Sequence, residues 1–142
     1  MTDLKTVHAA VLEAIRTKID EIVSIKSVTV GELRMLAADK FPACYVIPGR
    51  DEEGDYTVSE ILHKLRTKIV VITRSPAPDP VTGMDELIDL CGDVHDKLLT
   101  DRTLGGKCDI LYFVDRDFDY VLGQDYNLFW SIITVEPWVV MR

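Results

Sequence analysis

TGMDELIDLCGDVHDKLLTDRTLGGKCDILYFV, Thr82 to Val114, is the stretch that decides how this 142-residue chain folds. Met84, Leu87, Ile88, Cys91, Val94 and Leu98 recur at helical spacing and predict one apolar stripe. Thr82 with Asp85 three residues on has the pattern of a capping box. Asp85, Glu86 and Asp89 fall toward the pole of a helix that favours negative charge, and Lys97 suits the opposite pole. Asp101 to Gly106 (DRTLGG) is a stop signal, because glycine readily takes the left-handed conformation that ends helices. From there the period changes to two, with Cys108, Ile110, Tyr112 and Val114 alternating with Asp109, Leu111 and Phe113. The stretch predicts helix, tight reversal, strand.

Working outward toward the N-terminus, residues 3 to 23 predict a first amphipathic helix. Asp3 is its cap, and Leu4, Val7, Val11, Ile15, Ile19 and Ile22 form its buried stripe. Between Ser24 and Phe41 the signal is weak: Val28 and Val30 suit a short strand, and Glu32 to Asp39 a helical turn. A clearer strand, Ala43 to Ile47, follows Phe41-Pro42 and is expected to halt at Pro48-Gly49. Val58 to Arg74 is the longest strand candidate. Leu65, Thr67, Ile69, Val71 and Thr73 line one face; Lys64, Arg66, Lys68, Val70, Ile72 and Arg74 line the other. Ser75 to Val81, with Pro76, Pro78 and Pro80, is expected to be a stiff extended crossover.

Beyond the opening stretch, the first strand is expected to run to Leu122 and turn at Gly123-Gln124-Asp125. The return strand, Tyr126 to Val140, is apolar on both faces, which implies a central position, and Pro137 is expected to end regular pairing. The resulting fold class is α+β: a mostly antiparallel sheet of four to five strands with two helices packed on one face. Neither repeat nor linker divides residues 1–142, which are expected to form one domain.

Composition narrows the function. The hydrophobic and charged fractions, 47% and 28%, are those of an ordinary globular protein. No apolar run approaches the ~20 residues of a bilayer span, and no signal peptide is visible at Met1 to Lys5. Cys44, Cys91 and Cys108 form no CxxC pair and read as free thiols of a reducing compartment. A formal net charge of −8 argues against general affinity for nucleic acid or membrane surfaces.

Chemistry is sparse. His8, His63 and His95 stand outside any recognised motif, and no second histidine or acidic residue accompanies His8 at metal spacing. Cys91 and Cys108 read as packing residues. Gly-x-Ser-x-Gly, His-Glu-x-x-His and the P-loop are absent, and Leu104 to Lys107 leaves a helix whereas anion sites form where a helix begins. Catalytic, cofactor-binding and metal-binding residues are therefore expected to be none.

What remains is surface. Asp51, Glu52, Glu53 and Asp55 surround Gly54 without the twelve-residue pattern of an EF-hand, and read as a solvated hairpin tip or an acidic docking loop. Lys64, Arg66, Lys68 and Arg74 put four of the sixteen basic residues on one side of one strand. That is either a wet face discouraging edge pairing or a positive strip meeting the acidic tip of a neighbouring copy. Phe113, Phe118, Tyr126, Phe129, Trp130 and Trp138 crowd the last third, and such aromatics anchor protein contacts. These features suggest self-assembly.

The order of elements resembles the tail-terminator (tail-completion, minor tail) proteins of long-tailed bacteriophages. The residues that carry the likeness are the N-terminal helix, the Phe41 to Gly49 strand (FPACYVIPG), the Leu65 to Thr73 strand, and the helix ending in LLTDRTLGG (Leu98 to Gly106) before a hairpin. The resemblance implies a subunit of a homo-hexameric ring at the head-proximal end of the tail, assembled in the host cytoplasm. Such a ring caps the tail tube, ends its polymerisation and presents a platform to the head-completion or connector protein. DNA passes through without specific binding, and neither enzyme activity, cofactor nor membrane is involved. On this reading Asp51, Glu52, Glu53, Lys64, Arg66 and Lys68 are candidate subunit or partner contacts. Alternatives are a head–tail connector or stopper and a cellular α+β ligand-binding domain.

Overall fold

Asp3 opens the first helix: its carboxylate accepts the backbone N–H of Thr6 at 2.7 Å, one of the donors a helix start leaves unpaired. A computed structural model describes residues 3–31, 40–76 and 80–142. The elements are α1 (Leu4–Asp20), β1 (Ser27–Val30), β2 (Ala43–Asp55), β3 (Ile61–Pro76), α2 (Pro80–Leu99), β4 (Ile110–Leu122) and β5 (Tyr126–Met141). The five strands form one sheet in the order β1-β2-β3-β5-β4. β1 runs parallel to β2, and every other pair is antiparallel. This is the expected α+β class, with the return strand β5 inside the sheet as its two apolar faces required.

The two helices share one face. Val11, Ile15 and Ile19 of α1 and Leu87, Leu90, Cys91, Val94 and Leu98 of α2 join Val46, Leu65, Ile69, Val71, Phe129, Ile133 and Val135 of the sheet in one buried core. Burial of each such side chain contributes about 1.5–3 kcal/mol, so this layer dominates stability. The opposite face carries a smaller cluster, Ala43, Tyr45 and Val70, with Ile47, Ile72 and Ile132 packed beside it.

Several expectations are corrected. α2 begins at Pro80, where proline's fixed φ suits a first helical position, so Thr82 lies inside the helix and no acidic residue falls in its first turn. Ile88 is 52% exposed, and Leu90 takes its place in the stripe. β2 does not stop at Pro48-Gly49. A register shift between Pro48 and Asp51 absorbs the proline, and the strand continues to Asp55. Asp51 to Asp55 are therefore strand residues, and the hairpin tip is Tyr56 to Glu60, closed by N–H donation from Tyr56 and Thr57 to the Glu60 carbonyl. Pro137 does not end β5. It faces Leu111 and falls between the β3 rungs Thr67↔Val135 and Lys64↔Trp138, where its missing N–H is tolerated. The helical turn expected at Glu32 to Asp39 and the centre of the proline crossover lie outside the described residues.

The reversal after α2 is more elaborate than a glycine stop. Leu104, Gly105 and Gly106 all have positive φ (52°, 69° and 84°), and Leu104 alone has a side chain there, which it buries. Asp101 secures the turn, accepting from Thr103 N (3.0 Å), Thr103 Oγ1 (2.6 Å) and Gly105 N (2.8 Å). β4 then starts at Ile110 rather than Cys108, and a register shift between Phe113 and Asp115 reverses its alternation. Leu111 is buried, but every residue from Val114 to Leu122 is exposed.

Candidate functional site

The strand alternation of β3 places Lys64, Arg66 and Lys68 on the face away from the helices, where the sequence puts them. There the first two are engaged within the chain. Arg66 donates through Nη2 (2.9 Å) and Nε (3.1 Å) to Glu136 Oε2, and Trp138 Nε1 donates to Glu136 Oε1 at 2.7 Å. The Lys64 ammonium lies 4.6 Å from the centre of the Trp138 ring, at cation–π distance. Burial alone would raise the Glu136 pKa, but the hydrogen bonds from Trp138 and Arg66 and the nearby positive charges outweigh it and hold the carboxyl below its usual value. Lys68 is the exposed member of the three.

The acidic residues also have neighbours in their own chain. Asp51 lies 3.6 Å from His8 on α1, Glu52 lies 3.4 Å from Arg50, and Glu53 lies 3.5 Å from His63. The β2–β3 register sets Glu52 directly opposite Lys64. Of the three acidic residues, Glu52 alone meets a basic candidate across the ladder; Asp51 and Glu53 stand opposite Leu65 and His63, on the helix side. Their carboxylates remain accessible at 37%, 44% and 60% exposure for Asp51, Glu52 and Glu53.

The contacts of His8 with Asp51 and of His63 with Glu53 escaped the sequence reading, because the first needs α1 laid against β2 and the second the β2–β3 register. For His63 a signal exists: it shares the parity of Leu65 and Thr67, and it is buried with them. A further group also escaped. Asp115, Asp117 and Asp119 stand on alternate residues of β4, on the face away from the helices, opposite Thr134, Ile132 and Trp130. Their spacing of two is visible in the sequence, but only a strand assignment makes it a row. On the helix side of β4, Tyr120 and Leu122 border a groove of about 390 Å³ with Val81, Met84, Asp85 and Phe129.

Nucleophilic chemistry finds no support among the described residues. Cys44, Cys91 and Cys108 are buried free thiols. Burial raises all three pKa values, that of Cys108 to about 12 with Asp109 and Asp101 adding to the effect, so the reactive thiolate is suppressed at neutral pH. No group of three or more His, Cys, Asp or Glu among the described residues is placed to hold a metal ion.

No protein-family model matches this chain, nor does any curated protein. Among solved structures, a chain from the virion of a native gene transfer agent particle shares its fold with a TM-score of 0.50 and 19% identity, over 92% of this chain and 96% of that one. The likeness is one of fold, and it spans nearly the whole of both chains.

Proposed function

We propose that this protein is a structural component of a phage-like virion, and that it acts as a homo-hexameric ring capping the tail tube. The observation that supports the reading best is the end-to-end correspondence of its fold with a chain of a virion particle. The ring would stand at the head-proximal end of the tail, bound by the tube protein below and by a head-completion or connector protein above. A ring of identical head-to-tail contacts has no free end, so it terminates a stack that would otherwise grow. The −8 charge suits a bore that DNA traverses without adhering. Asp51, Glu52, Glu53, Lys64, Arg66 and Lys68 would be subunit or partner contacts, Lys68 being the most available of the cations. Neither catalysis nor a cofactor is required.

The test is electron microscopy of tails assembled without this protein. Over-long tubes are the expected result. Tubes of normal length that fail to join heads would instead make it a connector.

A further inference from the structure

β4 is an edge strand of unusual character. From Val114 to Leu122 it is exposed throughout, yet it carries Val114, Phe118, Tyr120, Val121 and Leu122. A long exposed edge can template pairing with another chain, and Asp115, Arg116, Asp117 and Asp119 on this one restrict it to a partner of complementary charge. The direction of its backbone groups can be worked out. Gly123 N–H donates to the Tyr126 carbonyl at 3.1 Å, so Gly123 and Tyr126 form a hydrogen-bonded pair. In an antiparallel ladder such pairs alternate, which turns the N–H and C=O of Leu122, Tyr120 and Phe118 away from β5. The Asp119 side chain accepts from Tyr120 N at 2.8 Å, in agreement with that outward direction.

We infer that the outer edge of β4 seats β1 of a second copy of this chain, joining neighbouring sheets into one continuous sheet; this rests on the ring reading above. Three observations select β1. The first is polarity. β1 and β5 run the same way and β4 runs against them, so a neighbour in the same orientation, as a ring demands, presents β1 antiparallel to β4.

The second is chemistry at equal height. Followed rung by rung across the sheet, Ser27 is level with Asp119, Val28 with Phe118 and Thr29 with Asp117. On one face the Thr29 hydroxyl meets the Asp117 carboxylate, and small Ser27, its own proton given to the Lys40 carbonyl, stands level with Asp119; on the other, valine meets phenylalanine. The third is charge. Residues 24–30 contain no carboxylate, and Lys26 and Lys40 stand at the start of β1, with Ser27 Oγ donating to the Lys40 carbonyl. The other available edges carry the wrong sign. β4 against β4 would set Asp115, Asp117 and Asp119 facing their own copies, and the free part of β2 brings Asp51, Glu52, Glu53 and Asp55.

The experiment uses the full chain. Thr29→Cys and Asp117→Cys are combined and treated with a short bis-maleimide, while sedimentation velocity follows assembly. Phe118→Pro removes an outward N–H level with Val28 without touching the β5 ladder, and circular dichroism checks its fold. The expected result is a covalent ladder rising to six subunits for the double variant, and at least a tenfold rise in the concentration Phe118→Pro needs to assemble. The ladder stands as the test if Phe118→Pro does not fold. Rings that form in the double variant but give no ladder overturn this interface and leave the ring standing, as does a dimer from Asp117→Cys alone, which would mean β4 pairs with itself. A wild-type chain that stays monomeric at every concentration and at tube ends overturns both.

Discussion

Two glycines of α2 should respond in opposite directions to the same substitution. A Cβ built on Gly83 would lie 2.3 and 2.4 Å from two ring carbons of Phe129 and 3.1 Å from Ser75 Oγ. Phe129 is 2% exposed and belongs to the main core, so its ring has nowhere to swing. Here α2 lies directly on β3 and β5, and Thr73 Oγ1 donates to the Gly83 carbonyl at 2.9 Å. Overpacking of this kind costs about 1–3 kcal/mol, against a helix-propensity gain of up to about 1 kcal/mol for alanine over glycine. An approach of 2.3 Å belongs to the upper half of that range, so Gly83→Ala should destabilise by about 1–2 kcal/mol. At Gly92 nothing lies within 4 Å of the new Cβ, and only the propensity gain remains, about 0.5–1 kcal/mol. Urea unfolding with an unchanged m-value measures both, and a thermal melt should separate the variants by about 5–9 °C. Gly83→Ala at or above wild-type stability would refute the close approach of α2 to the sheet.

The remaining predictions concern charge and thiols. Glu136→Gln should lower stability at neutral pH by about 1 kcal/mol, toward the small end of charged hydrogen bonds because Arg66 is partly solvated. Since the folded-state pKa of Glu136 is depressed, its contribution is full above the ordinary carboxyl value of 4.5 and lost as pH falls through the lowered one. The variant should accordingly show a flatter acid limb in urea titrations, and an unchanged limb would contradict the assignment. Asp101 is likewise held below its usual pKa by Thr103 and Gly105. Asp101→Ala should lower the melting temperature at pH 7, with the difference from wild type closing as the pH is brought down. Lys68→Glu should weaken ring formation more at low than at high salt while leaving the monomer's melt unchanged; equal sedimentation at both ionic strengths would remove Lys68 from the interface. In the native protein all three cysteines should resist a thiol reagent at pH 8 and react together in denaturant.

The parts of the fold legible in the sequence are those written in local periodicity. The α1 stripe of Val11, Ile15 and Ile19, its Asp3 cap, and the two faces of β3 follow from spacing alone, because helix and strand repeats differ and each chooses its own buried face; the helix itself stops at Asp20, short of Ile22. The failures share a different cause. Pro48 and Pro137 read as stops, yet both lie in strands, because a bulge in one case and a gap in the neighbouring ladder in the other leave their missing N–H without consequence. No local pattern carries that information. The candidate contact surface is half legible for the same reason. The residues of the basic strip were placed correctly, but their engagement by Glu136 and Trp138 depends on β5 arriving beside β3 from seventy residues away. The Asp115-Asp117-Asp119 row was in view as a spacing, and became a feature only once the bulge after Phe113 set its face.

The most direct test of the central claim is the mass and symmetry of the assembled protein, taken from sedimentation and negative-stain images of the same purified sample with and without tail tubes. Closed sixfold rings of six 16.0 kDa subunits, free or seated on tube ends, are the expected result. Monomers throughout, with bare tube ends, would contradict it.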